Sequence, residues 1–267
     1  MSFDPAVTRH PAAAAELAEF GEHLTGALIA LDFDGTMAPL VADPSASRPV
    51  DGLLATLIRL AEAGVQVAVV TGRDALTAVA LGGLDAVPDI VVSGLHGAER
   101  WQAGQLRTQV EPPGIATLRS ELPAALVQVD PAIWLEDKRL SLVVHTRQAA
   151  DPDAALAQLE PLVRERAGAV GLEAHRGKLI LEIRLPDINK GDAIGELLNP
   201  ETAAVLFAGD DLGDVPAVRR VRSWAVASGR PAVTIAVGGV EELREETTIA
   251  LQSPAELASL LAELTAR

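Results

Sequence analysis

Short apolar runs that end in Gly or Asp alternate along this chain with amphipathic stretches, and this alternation limits the possible folds more than any other feature. The runs are Leu28–Leu31, Val65–Val70, Ile90–Val92, Val205–Ala208, Trp224–Ala227 and Val233–Val237. Between the first two, Leu53, Leu54, Leu57, Ile58, Leu60 and Ala61 recur at helical spacing. Strand, helix and strand in succession predict an α/β fold, a parallel sheet flanked by helices on both faces. Ser253, Pro254 and Glu256 read as N-cap, first-turn proline and capping-box glutamate of a last helix. Ala12–Leu17 reads as a short helix. Aromatic residues make up only 3% of the chain and Tyr is absent, so small aliphatic side chains must fill the core.

The middle of the chain has a different pattern. A breaker cluster at Pro112–Gly114 is followed by an apolar stretch at Leu140–His145, a helical stretch near Ala154–Arg166, and Leu179–Leu185. In the last, Leu179, Leu181, Ile183 and Leu185 alternate with Glu182 and Arg184. That pattern fits an antiparallel sheet with one face on helices and one polar face. Residues 104–186 carry 10 basic and 11 acidic side chains, against 12 and 26 in the remainder. The chain is therefore expected to divide into a first core segment (1–103), an inserted α/β module (104–186) and a second core segment (187–267).

The net charge of −15 argues against non-specific binding to nucleic acid or to an anionic membrane. The chain has no Cys, which excludes disulfides, zinc–thiolate sites and a thiol nucleophile. Met1–Phe20 shows no basic start followed by an apolar run, so no signal peptide is expected. No stretch of about 18 apolar residues suggests a membrane span. A cytoplasmic location is expected; oligomeric state is not legible.

Four motifs carry chemistry. The first is Leu28-Ile29-Ala30-Leu31-Asp32-Phe33-Asp34-Gly35-Thr36, an apolar strand ending in two acids. Ligands of open α/β sheets bind at the carboxyl ends of strands. Two carboxylates there repel unless a divalent cation offsets them, and oxygen-only ligands favour magnesium. Asp32 is the candidate nucleophile, and Asp34 the candidate acid and base. Gly35 lets the backbone approach a phosphate. The second motif is Thr71-Gly72-Arg73, whose hydroxyl can bind a phosphate oxygen. The third is Asn189-Lys190-Gly191-Asp192, where Lys190 can neutralise a transferring phosphoryl group. The fourth is Gly209-Asp210-Asp211-Leu212-Gly213-Asp214, three acids at another strand end. Taken alone, the second fits any strand end and the third any surface lysine.

In this order the four motifs resemble those of the haloacid dehalogenase superfamily. The resemblance implies a Rossmann-like core with an inserted α/β cap. It gives Asp32, Asp34 and Lys190 the catalytic roles, and phosphate binding to Asp32, Gly35, Thr71, Gly72 and Lys190. It implies Mg²⁺ at Asp32, Asp210 and the Asp34 carbonyl, with Asp211 and Asp214 in support. Further segments resemble the trehalose-6-phosphate phosphatases: Ser93-Gly94-Leu95-His96-Gly97, Glu136-Asp137-Lys138-Arg139-Leu140-Ser141 with His145 and Arg147, and Glu182-Ile183-Arg184. By this resemblance Glu136, Lys138, His145, Arg147 and Glu182 bind the sugar, the cap closes over the substrate, and trehalose 6-phosphate is hydrolysed through an aspartyl-phosphate. Without the resemblance, Glu136 and Lys138 would read as a cross-strand surface pair and His145 as a half-buried strand residue. A phosphatase for sucrose or mannosylglycerate phosphates, a non-catalytic sugar-phosphate-binding domain and a phosphoryl-transfer mutase are the alternatives. The second would be marked by loss of Asp32, Asp34 or Lys190, all of which are present. The third would need a basic cluster for a second phosphate, and none stands out.

Overall fold

The computed structural model describes residues 11–186 and 188–265. Residues 1–10, on which part of the targeting-signal reading and the start of the first core segment rest, and Asp187 lie outside the described residues. The chain divides into two units, 1–107 with 189–267, and 108–188.

The larger unit is built on an eight-stranded sheet. Its strands are β1 (Leu28–Leu31), β2 (Gln66–Val70), β3 (Val91–Gly94), β4 (Glu99–Gln102), β5 (Gln105–Thr108), β10 (Val205–Gly209), β11 (Ala232–Val237) and β12 (Ile249–Leu251), in the order β12-β11-β10-β1-β2-β3-β4-β5. From β12 to β3 neighbouring strands run parallel; β4 turns back antiparallel on β3. Strand β5 extends this sheet, and the division therefore falls a few residues beyond the 103/104 boundary read from charge and composition.

β1 is buried along its whole length, and its alternate residues enter two different cores. Ile29 and Leu31 join Leu17 and Phe20 of α1 (Pro11–Glu22), Leu57 and Leu60 of α2 (Leu53–Glu62) and Leu257 and Leu261 of α9 (Pro254–Thr265). Leu28 and Ala30 join Phe207 of β10, Ile194 and Leu197 of α6 (Lys190–Leu197) and Val218 and Val221 of α7 (Val215–Ser228). A strand covered by helices on both sides must be apolar at every position, which is why these strands read as unbroken runs. α3 (Ala75–Gly82) and α8 (Glu241–Glu246) complete the unit.

The smaller unit has a four-stranded antiparallel sheet in the order β6 (Trp134–Asp137), β7 (Leu142–His145), β9 (Ile180–Arg184), β8 (Glu173–Gly177). Leu142, Val144, Leu181 and Ile183 face a core shared with Ile115, Leu118 and Leu122 of α4 (Pro113–Val129) and Leu156, Leu159 and Val163 of α5 (Pro152–Ala169). Cross-strand register places Trp134, Glu136, His145, His175 and Glu182 on the opposite face.

Three local expectations change. Trp224–Ala227 is the last turn of α7 and not a strand; Val226 is 88% exposed, and Gly229 ends the helix in a left-handed cap. The Pro112–Gly114 cluster opens α4, because a proline in the first turn forfeits no hydrogen bond. At α9, Ser253 caps as expected, its hydroxyl accepting from the Glu256 amide, but the Glu256 carboxylate accepts from Gln252 N instead of Ser253 N.

Candidate active site

β1, β2 and β10 are adjacent parallel strands, so the loops after them open on the same edge of the sheet. Asp32 follows β1 directly, its amide donating to Ala208 O at 2.9 Å. The carboxylate is buried, and its Oδ1 accepts from Lys190 Nζ at 2.6 Å. Lys190 is the first residue of α6, whose N-cap Asn189 accepts from the Gly191 amide. The same ammonium donates to Asp214 Oδ1 at 2.7 Å. Asp214 Oδ2 in turn accepts from the amides of Asp210 and Asp211 at 2.9 and 3.1 Å, and so shapes the loop after β10. Asp211 is exposed and accepts from Gly213 N, capping the turn that Asp214 closes.

Asp32, Asp210 and Asp214 each offer a carboxylate oxygen within 4.8 Å of the others. Burial is the main force pushing the Asp32 pKa well up, and Asp214, Asp210 and Asp211 add to it against Lys190. Asp210 rises to about 7 through burial and then repulsion from Asp211 and Asp214. Asp214 is likewise raised by burial. For Lys190 burial opposes the charge, but Asp214 and Asp32 more than reverse this, and its pKa lies well above the usual lysine value. One ammonium thus serves four neighbouring acids. The remaining negative charge and the all-oxygen donor set fit a divalent cation. Gly35 has φ +83°, and a Cβ there would lie 2.1 Å from Asp210 Oδ2, so only glycine lets the loop after β1 pass this cluster.

Asp34 is not part of the carboxylate cluster. Its side chain is gripped by Arg73, with Nε–Oδ2 at 2.5 Å and Nη2–Oδ1 at 2.7 Å, and Ser47 Oγ donates to Oδ1 at 2.9 Å. Any part of Asp34 in metal binding therefore falls to its carbonyl. Thr71 is buried at the end of β2, its hydroxyl accepting from the Arg73 amide at 3.1 Å. Gly72 backs onto His96, where a Cβ would come within 2.9 Å of Cε1. Leu95 and His96 both have positive φ, and their amides donate to Arg73 O and Thr71 O. The 94–97 segment therefore splints the Thr71–Arg73 turn.

In the smaller unit, Glu136 Oε2 and His145 Nε2 are 2.9 Å apart, and this contact lowers the Glu136 pKa. Ser141 Oγ donates to Glu182 Oε1 at 3.4 Å. The Lys138 amide donates to Ser141 O, closing the β6–β7 turn, and Lys138 adds to the lowering of the Glu136 pKa. Arg147 is exposed past the end of β7 and joins none of these hydrogen bonds.

Sequence reasoning gave no role to Arg73, Ser47 or Trp134. Arg73 stood inside a quoted motif and could have been asked which acid it pairs. Nothing in the sequence links Ser47 to Asp34, and Trp134 was one apolar residue before a recognisable charged segment.

The trehalose-phosphatase family profile matches residues 30–255. A trehalose-phosphate phosphatase of Mycobacterium marinum is 31% identical over 247 residues, 87% of this chain and 60% of that protein. An uncharacterized glycosyl hydrolase of Mycobacterium tuberculosis is 30% identical over 282 residues, 98% of this chain and 20% of that protein. The chain thus spans about a fifth of the length of one relative and three fifths of the other. A solved structure of a trehalose-6-phosphate phosphatase related protein superposes with a TM-score of 0.69 at 27% identity, covering 90% of this chain and 97% of that one.

Proposed function

The chain belongs to the trehalose-phosphatase family, and from that membership we propose that it hydrolyses trehalose 6-phosphate to trehalose and phosphate through a phosphoryl group carried on Asp32. The observation that carries this reading is the buried Asp32 carboxylate at the end of β1, 2.6 Å from Lys190 Nζ.

Asp32 attacks phosphorus, forming an acyl phosphate as the bond to the sugar oxygen breaks. Asp34 gives a proton to the departing sugar oxygen. It then takes one from the water that attacks the acyl phosphate, and Asp32 is restored as phosphate leaves. Lys190 stabilises the charge on the transferring group, and the Thr71 hydroxyl with the amides near Gly35 and Gly72 holds its oxygens. For both transfers Oδ2 must leave Arg73 Nε to carry the proton, while Arg73 Nη2 and Ser47 Oγ on Oδ1 keep the carboxyl aimed. Mg²⁺ at Asp32, Asp210 and the Asp34 carbonyl, supported by Asp211 and Asp214, would supply neutralisation of phosphoryl charge when bound. Glu136, Lys138, His145, Arg147 and Glu182 supply the sugar contacts. A phosphorylated sugar is kept inside a cell by its charge, which assigns the activity to the cytoplasm.

The test is the Asp32→Asn variant. It should fold, release no phosphate from trehalose 6-phosphate, and accumulate no acid-stable, hydroxylamine-sensitive phosphoprotein. Retained turnover would reject the covalent route.

A further inference from the structure

Trp134 opens β6 and is 43% exposed, a large apolar ring on the polar face of the smaller unit's sheet. Its indole lies flat on the His145 imidazole, with centroids 3.8 Å apart and planes 3° from parallel. Register explains the pairing, since Trp134 is directly opposite His145. His145 is itself fixed by the 2.9 Å contact between Nε2 and Glu136 Oε2. The indole is therefore braced from one side by a ring that a carboxylate holds in place. Two carboxylates, Glu136 and Glu182, share this face.

A pyranose ring has hydroxyls around its rim and C–H groups on its faces. It binds best where an aromatic plane meets the face and acceptors meet the rim, since the ring quadrupole attracts the C–H groups. We propose that Trp134, braced by His145, is the platform on which one pyranose ring of the substrate lies while Glu136 on the same strand accepts from its rim hydroxyls. This rests on the sugar-phosphate reading above, and it makes Trp134 a determinant of sugar affinity.

The experiment compares wild type, Trp134→Ala, Trp134→Phe and Glu136→Gln with trehalose 6-phosphate, and follows indole emission while unphosphorylated trehalose is added. The chain has three Trp residues; Trp101 is buried at 8% exposure, and Trp134 is the one on the sugar face. Trp134→Ala should raise KM about tenfold and change kcat less than about twofold. Trp134→Phe should recover most of that KM, and should lose the emission change that trehalose causes in wild type. An unchanged KM in Trp134→Ala beside a raised KM in Glu136→Gln would reject the platform and leave the sugar-binding face standing. An unchanged KM in both would reject the sugar-binding face, and the platform with it. A lowered melting temperature in Trp134→Ala with KM unmoved would mark a packing residue and also overturn the proposal.

Discussion

Lys190 holds together a group of acids that would otherwise repel one another. Its removal in Lys190→Met leaves Asp32 and Asp214 buried without a counter-charge, which costs about 3–5 kcal/mol. Urea unfolding should show a loss of that size, and an unchanged midpoint would mean the acids simply take up protons. Arg73 acts on a different acid. Arg73→Lys keeps the charge but loses the fork that grips both Asp34 oxygens, and kcat should fall about 10- to 100-fold. An unaltered kcat would show that Asp34 needs no such support. The places of Asp32, Asp34, Lys190 and Asp210 were legible because each follows a recognisable strand or opens a helix. The Asp34–Arg73 grip was not, since it joins residues 39 apart through side-chain direction alone.

At the scale of elements, strands buried on both faces declared themselves as apolar runs, and β1, β2, β3, β10 and β11 were all legible. β4, β5, β6 and β8 were not, because polar residues such as Glu99, Gln105, Glu136 and Glu173 interrupt them and no continuous run remains. Trp224–Ala227 failed in the opposite direction. A four-residue apolar run cannot distinguish a strand from a helix end, and the Gly229 cap and the buried Val218 and Val221 favoured the helix. The tight turn after β1 carries its own prediction. Gly35→Ala places a Cβ in left-handed backbone and against Asp210, so it should cost about 1–3 kcal/mol and displace that carboxylate. Thermal melts and Mg²⁺ titration of the variant should show lower stability and weaker binding together. Wild-type Mg²⁺ affinity would remove Asp210 from the metal site.

For the whole molecule, no helix among the described residues is long and apolar enough to cross a membrane. The acidic excess of the larger unit is partly focused on one cluster, and this ties stability to pH. Folded, Asp210 keeps its proton up to about 7, whereas unfolded it releases it near 3.8. Between those values the unfolded chain binds fewer protons, so protein stripped of divalent ions loses stability as pH rises from about 4 to about 7. Added Mg²⁺ should therefore raise the melting temperature more at pH 8 than at pH 5; an equal rise at both would place the cation elsewhere.

The most direct measurement is phosphate release from trehalose 6-phosphate, sucrose 6-phosphate, glucose 6-phosphate and mannosylglycerate phosphate, each with and without Mg²⁺. The account predicts Mg²⁺-dependent turnover with a strong preference for trehalose 6-phosphate. Equal, feeble release from all four, or release indifferent to Mg²⁺, would contradict it.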